Sequence, residues 1–237
     1  MRVPWNGYSP SADLTLPVVY ANYGRAEDYD ELEKRGVSVR GKIVLARYFR
    51  GYRGGKSLEA ERRGVAGIIV YSDPAEDGAP RGPVYPNGPW GPLGHFQRGA
   101  VVYDFVSPGD PLTPGWASTE SARRLDESEV KILPKIPMVP LSAADAGEIL
   151  KRIGGPEAAK DWQGALPVPY HMGGASAKVH MALDMENRVT PIWNVIARIP
   201  GAEEPEKLVI LGNHHDAWGY GAVDPSSGTA SMLELAR

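Results

Sequence analysis

Short runs of β-branched and aromatic residues recur along the chain, each bounded by Gly, Pro or polar positions. This is the pattern of strands separated by turns. The runs cover 17–23, 42–48, 67–71, 100–103, 136–139, 178–183, 193–199 and 208–211. Helical spacing appears between some of them. Residues 27–35 place Tyr29 and Leu32 among charges and stop before Gly36, and residues 57–63 stop before Gly64. Ser142 can cap a helix through Arg152, with Leu141 ahead of it and Gly154 behind. A last helix is expected to open at Pro225, where the missing N–H of proline is no loss. Residues 73–99 are dense in proline and glycine and read as a long loop. Residues 157–177 read as a weaker loop, and long loops in compact domains are commonly functional.

The pattern changes near 187–191. Before it, short strands and helices describe a β-rich α+β domain, residues 1–188. After it, runs 193–199 and 208–211 read as strands buried on both faces, followed by a helix. Residues 189–237 are therefore expected to open an α/β sheet domain. No internal repeat is evident.

Composition narrows the chemistry. The chain has 237 residues, 42% hydrophobic and 23% charged, with a net charge of −3. There is no basic footprint for nucleic acid. With no cysteine, any metal must be held by His and carboxylate groups rather than thiolates. No run approaches the ~20 apolar residues of a membrane span. Residues 1–10 have no apolar h-region, so no signal peptide is expected there.

The densest chemistry lies after the run 208–211, in Asn213-His-His-Asp216 and Asp224-Pro-Ser-Ser-Gly228. His214 stands just past the carboxyl end of an apolar run, where α/β sheets gather ligands. Its imidazole can ligate zinc, and Asp216 can fix the ring by accepting from the other nitrogen. The plainer alternative is a polar loop that contains two histidines. Asp224 can bridge two metal ions, or simply cap the helix that follows. His215, His95, His171 and His180 read as bystanders. In Gly51-Tyr-Arg-Gly-Gly-Lys-Ser57 the first glycine of a phosphate loop would fall on Arg50, so that pattern fails. Arg47, Arg50, Arg53 and Lys56 are expected to be solvated, with the lining of an acidic-ligand cleft as the alternative. Arg25, just beyond a strand end, can clamp a carboxylate or pair with Glu27 or Asp28 on the surface.

These segments together resemble the glutamate carboxypeptidase II and transferrin receptor branch of the zinc aminopeptidase-like metallopeptidases. The resemblance runs from about Val18 to the end. It is carried by Asn22-Tyr-Gly-Arg-Ala-Glu-Asp28, Gly41-Lys-Ile-Val-Leu-Ala-Arg-Tyr48, Tyr71-Ser-Asp-Pro-Ala75, Gly109-Asp-Pro-Leu-Thr-Pro-Gly115, Ile136-Pro-Met-Val-Pro140 and Leu211-Gly-Asn-His-His-Asp-Ala-Trp218.

The resemblance implies a protease-associated domain over 1–188 and the truncated start of a zinc metallopeptidase domain over 189–237. It implies two zinc ions, with His214 as a ligand, Asp224 as the bridging carboxylate and Asp216 as the catalytic support of the histidine. The other ligands and a general-base glutamate are expected farther along, so the chain by itself is expected to be inactive. Arg25 matches an arginine that holds the substrate α-carboxylate, which tilts the reaction toward a carboxypeptidase releasing an acidic residue. Trp90 falls where carboxypeptidase members carry a substrate-contacting asparagine, implying a different side-chain preference. Thr113, by its side chain, and Trp116, by its carbonyl, match two ligands of a structural calcium. A peptide substrate, a homodimer and an extracytoplasmic location are further implications. The alternatives are a non-catalytic receptor-like scaffold and a stand-alone peptide-binding module.

Overall fold

The computed structural model describes residues 3–237, which divide into two compact units, one ending at Glu186 and one over Asn187–Arg237. The first unit is built on a five-stranded sheet in the order β4-β3-β2-β1-β5. Its elements are β1 (Ala12–Tyr20), α1 (Ala26–Lys34), β2 (Ile43–Arg47), α2 (Arg53–Arg62), β3 (Gly67–Tyr71), β4 (Met138–Leu141), α3 (Ala143–Ile153) and β5 (Gly173–Leu183). Strands β1 to β4 are parallel, and β5 runs antiparallel against β1. Parallel neighbours need a crossover, and α1 and α2 supply those between β1, β2 and β3.

Position in the sheet explains the strand patterns. Strands β2 and β3 are flanked on both sides and buried at every residue, as continuous apolar runs require. β1 alternates between half-buried and exposed through Leu16, where it pairs only with β5. From Val18, where it also meets Ile43 of β2, it is fully buried. The register slips between Pro17 and Val19, where proline has no N–H for the ladder. The helices follow their end signals. Ser142 Oγ accepts from Asp145 N at 3.1 Å to open α3, whose buried stripe is Ala143, Ala146, Gly147, Leu150 and Ile153. Gly154, at φ 59°, closes it.

Run 100–103 was expected to be a strand and is not one. Val101, Val102 and Tyr103 are buried, but the partners are loops: Val101 N donates to Gly7 O at 3.0 Å and Tyr103 N to Ile132 O at 2.8 Å. Val102 and Tyr103 pack with Val130 and Ile132 into a small second core. The long loop after β3 begins with Asp73, wholly buried. Its carboxylate accepts from Ala75 N and Ala165 N, each at 2.9 Å, and from the hydroxyls of Tyr71 and Tyr170. It ties residues 163–170 to the end of β3. A Cβ on Gly164 would collide with that carboxylate, so this position requires glycine.

The second unit departs from expectation. Runs 193–199 and 208–211 form no strands, and their side chains are open to solvent, with Val195 90% and Val209 92% exposed. A strand buried on both faces needs neighbours on either side and layers above and below. None of these is present among the described residues of this unit, so the apolar runs stay unpaired. The helix does form, as α4 (Ser226–Ala236), with Pro225 at its N-cap rather than its first helical position. No helix among the described residues is long and apolar enough to cross a membrane.

Candidate metal centre and cationic strand edge

In the second unit the segment 213–216 is hydrogen-bonded to the start of α4 through Asn213. Asn213 Nδ2 donates to Pro225 O at 3.0 Å and Thr229 Oγ1 at 2.9 Å, and also to His214 O at 2.8 Å. A Cβ on Gly228 would strike the Asn213 side chain, so that glycine permits the close approach. Sequence reasoning gave Asn213 no role. Its signal was an amide residue beside a histidine, facing a helix with glycine in its first turn.

This anchoring sets His214 between two carboxylates. Its Nδ1 lies 2.9 Å from Asp216 Oδ1 and its Nε2 lies 2.6 Å from Asp224 Oδ1. Hydrogen bonds to Asp216 and then to Asp224 raise the imidazole pKa, and the bond to His214 lowers that of Asp216. The capping alternative for Asp224 does not hold: α4 has no side-chain cap, and the Asp224 carboxylate faces His214 instead. His215 turns away and its Nε2 meets Trp193 O at 2.9 Å.

Among the described residues no group of three His, Asp, Glu or Cys side chains is disposed to hold a metal ion. The donor set nevertheless suits zinc in kind, with one imidazole nitrogen, one carboxylate and a second carboxylate on the far ring nitrogen. Ligands ~2.0–2.1 Å from a tetrahedral ion stand about 3.3 Å apart. The 2.6 Å between His214 and Asp224 is a hydrogen bond, with a proton where an ion would sit.

In the first unit, the loops leaving the carboxyl ends of β1 and β2 form a cationic cluster. Arg25 is the N-cap of α1, its backbone N donating to Asp28 Oδ2 at 3.0 Å. Its guanidinium pairs with Glu27 at 2.9 Å and with Asp28 at 3.4 Å, the two partners foreseen for it, but only Glu27 lies on the surface, since Asp28 is buried. Arg25, Arg47, Arg50 and Lys56 all lie within reach of the Tyr23 ring, with Arg47 nearest at 4.2 Å.

The expectation that Arg47 and Lys56 are solvated is wrong. Arg47 is 2% and Lys56 3% exposed. Lys56 Nζ donates to Tyr23 O at 2.5 Å and Phe49 O at 2.7 Å, and burial lowers its pKa to about 8. These carbonyls are free to accept because their loops leave the strand ladders: Asn22, Phe49 and Arg50 have φ of 50°, 61° and 46°. A glycine-rich basic stretch gave no signal of that burial, because it depends on where β1 ends.

Thr113 is buried, and its Oγ1 has no hydrogen-bond partner, an orphaned oxygen of the kind a hard cation satisfies. Trp116 lies one turn on, its N donating to Thr113 O at 3.3 Å. Trp90 lines a shallow cavity with Tyr85, Asp77 and His95, and His95 Nε2 sits 3.2 Å from Asp77. His171 Nδ1 meets Gly155 O at 2.9 Å and His180 Nε2 meets Asp13 at 2.8 Å.

Residues 14–103 match the PA domain family and residues 194–237 match peptidase family M28. A probable glutamate carboxypeptidase, VP8, of Zea mays is 40% identical over 238 residues, covering 99% of this chain and 31% of its own length. A glutamate carboxypeptidase 2 homolog of Caenorhabditis elegans is 39% identical, covering 98% of this chain and 31% of its own. Aminopeptidase NAALADL1 of Rattus norvegicus is 39% identical, covering 99% and 33%. The chain thus spans about a third of the length of these curated relatives.

Proposed function

Because this chain belongs to the glutamate carboxypeptidase-like branch of peptidase family M28, we propose that it works as part of a dinuclear zinc exopeptidase that releases a C-terminal, acidic residue from peptides. The observation that carries this reading is His214 held between Asp216 and Asp224 at hydrogen-bond distance on its two nitrogens. Asp216 orients the ring and keeps electron density on the nitrogen that faces Asp224. His214 and Asp224 then present a nitrogen and an oxygen toward one point. Zinc held there would lower the pKa of a bound water to about 7 and polarise the scissile carbonyl. Asn213, by pinning its segment to α4, keeps His214 beside Asp224, so that the pair has only to part by several tenths of an ångström to admit an ion.

Arg25 is assigned to the substrate's α-carboxylate, by a charge-assisted pair of the kind arginine forms. Thr113 and Trp116 are assigned to a structural calcium, supported by the orphaned Thr113 hydroxyl. A homodimer in an extracytoplasmic compartment completes the proposal. Relatives named both as carboxypeptidase and as aminopeptidase leave the direction of attack as the point to test. The longer protein should cleave N-blocked dipeptides with a free C-terminus, and a chelator should stop it. Cleavage confined to peptides with a free N-terminus and an amidated C-terminus would overturn the carboxypeptidase assignment. Turnover unaffected by the chelator would overturn the metal.

A further inference from the structure

The Arg25 side chain faces two carboxylates of different character. Its Nε lies 3.4 Å from Asp28 Oδ2, and Asp28 is almost wholly buried. Its Nη1 lies 2.9 Å from Glu27 Oε1, and that glutamate side chain is 63% exposed.

Behind Asp28 stands a fixed chain of donors. Asn22 Nδ2 donates to Asp28 Oδ1 at 2.8 Å, and Arg47 Nη2 donates to Asn22 Oδ1. Asn22, Asp28 and Arg47 are all 4% exposed or less. Asp28 Oδ2 also takes the Arg25 backbone N–H, a one-sided cap on α1, since a guanidinium has no acceptor with which to return the bond. One buried carboxylate therefore holds both the backbone and the side chain of Arg25. Burial and full hydrogen bonding make such a contact costly to break. The Glu27 contact is an exposed ion pair, weak and readily exchanged with solvent.

We propose that Asp28, backed by Asn22 and Arg47, is the positioning residue for Arg25, and that Glu27 is a displaceable internal stand-in for the ligand carboxylate. This rests on the assignment of Arg25 to a substrate carboxylate. The buried side fixes where the guanidinium points, so little ordering remains to be done on binding. The exposed side keeps the outer N–H groups paired until a carboxylate replaces Glu27, and the ligand binds against that competition. The two neighbours in sequence therefore have opposite effects on affinity.

The test is a titration of the full chain, labelled with nitrogen-15, with N-acetyl-L-alanine. It is followed through the backbone amides of residues 22–26 and the Nε–Hε resonance of Arg25. The wild type should show saturable binding, and Arg25→Ala should abolish it. Glu27→Gln should tighten binding by about two- to fivefold, the span of an exposed ion pair removed from competition. Asp28→Asn should weaken it by at least as much. In Asp28→Asn the unliganded Arg25 Nε–Hε should also exchange with water as a free guanidinium does, which a loss of stability alone would not produce.

Wild-type and Arg25→Ala chains that bind alike, or that both fail to bind, would overturn the assignment of Arg25 itself. Loss of binding in Arg25→Ala with no tightening in Glu27→Gln would overturn the stand-in. Should Asp28→Asn fail to fold, Glu27→Gln decides alone, because its side chain is mostly solvated. Unchanged affinity in a folded Asp28→Asn would overturn the positioning role.

Discussion

His214 and Arg25 show how a residue type acquires a role from its partners. An imidazole with one nitrogen backed by a carboxylate and the other facing a second carboxylate is oriented for ligation. A guanidinium with one side anchored on a buried aspartate is oriented for a carboxylate. For Arg25→Ala in the longer protein, the loss of a charge-assisted contact predicts a weakening of about 2–3 kcal/mol. It should appear in KM for peptides with a free C-terminus and be absent for amidated ones. Equal effects on both would return Arg25 to a surface role.

The histidine, both aspartates and Arg25 were legible as candidates from sequence, because residue type and position after an apolar run are visible there. Their partners were legible only in part. Nothing in the sequence put Asn22 and Arg47 behind Asp28, since that contact joins loops from two different strands. Asn213 was equally silent, because its bonds run to the far side of a turn.

At the scale of elements, the central strands and the capped helices were the readable part. β3 has the bounds its apolar run gave, because a strand flanked on both sides leaves no polar position to blur its ends. β1 begins ahead of its run, because its first half pairs only with β5 and need not be apolar, and it ends at Tyr20, short of the run's end at 23; β5 also begins ahead of its run, at Gly173. Run 100–103 misled because burial in a loop core and burial in a sheet leave the same apolar signature.

The sheet also fixes a pH response. Tyr20, Tyr71 and Tyr170 are buried around Asp73, and burial raises each hydroxyl pKa. Above pH ~10 the unfolded chain releases tyrosine protons that the folded chain keeps, so stability falls as pH rises. Lys56 has the opposite sign. With a folded pKa of about 8 against 10.5, the unfolded chain binds the extra proton between those values, and stability rises there. Urea midpoints of the first unit's transition should therefore climb from pH 8 and then decline above pH 10. Lys56→Met should remove the climb and keep the decline. A flat profile through pH 11 would contradict both burials.

At the scale of the whole molecule, the two units differ in how they are held. The first has a continuous core from Val18 in β1 to Met181 in β5. The second has its apolar residues 192–211 largely in solvent and one helix with no buried residue. Brief proteolysis should therefore cut within 187–211 and leave a resistant product ending near Glu186. A product that retains 187–237 would show these runs packed in solution.

That contrast also explains what sequence could tell about this region. The apolar runs state what the segment needs, which is neighbouring strands, and local sequence cannot supply them.

The proposed activity depends on His214 and Asp224 gripping metal together. The direct measurement is zinc content of the longer protein after dialysis against trace metal-free buffer, for the wild type, His214→Ala and Asp224→Ala. The account predicts about two zinc per chain in the wild type, clear loss in both variants, and unchanged far-ultraviolet circular dichroism. Wild-type zinc content retained in either folded variant would contradict it.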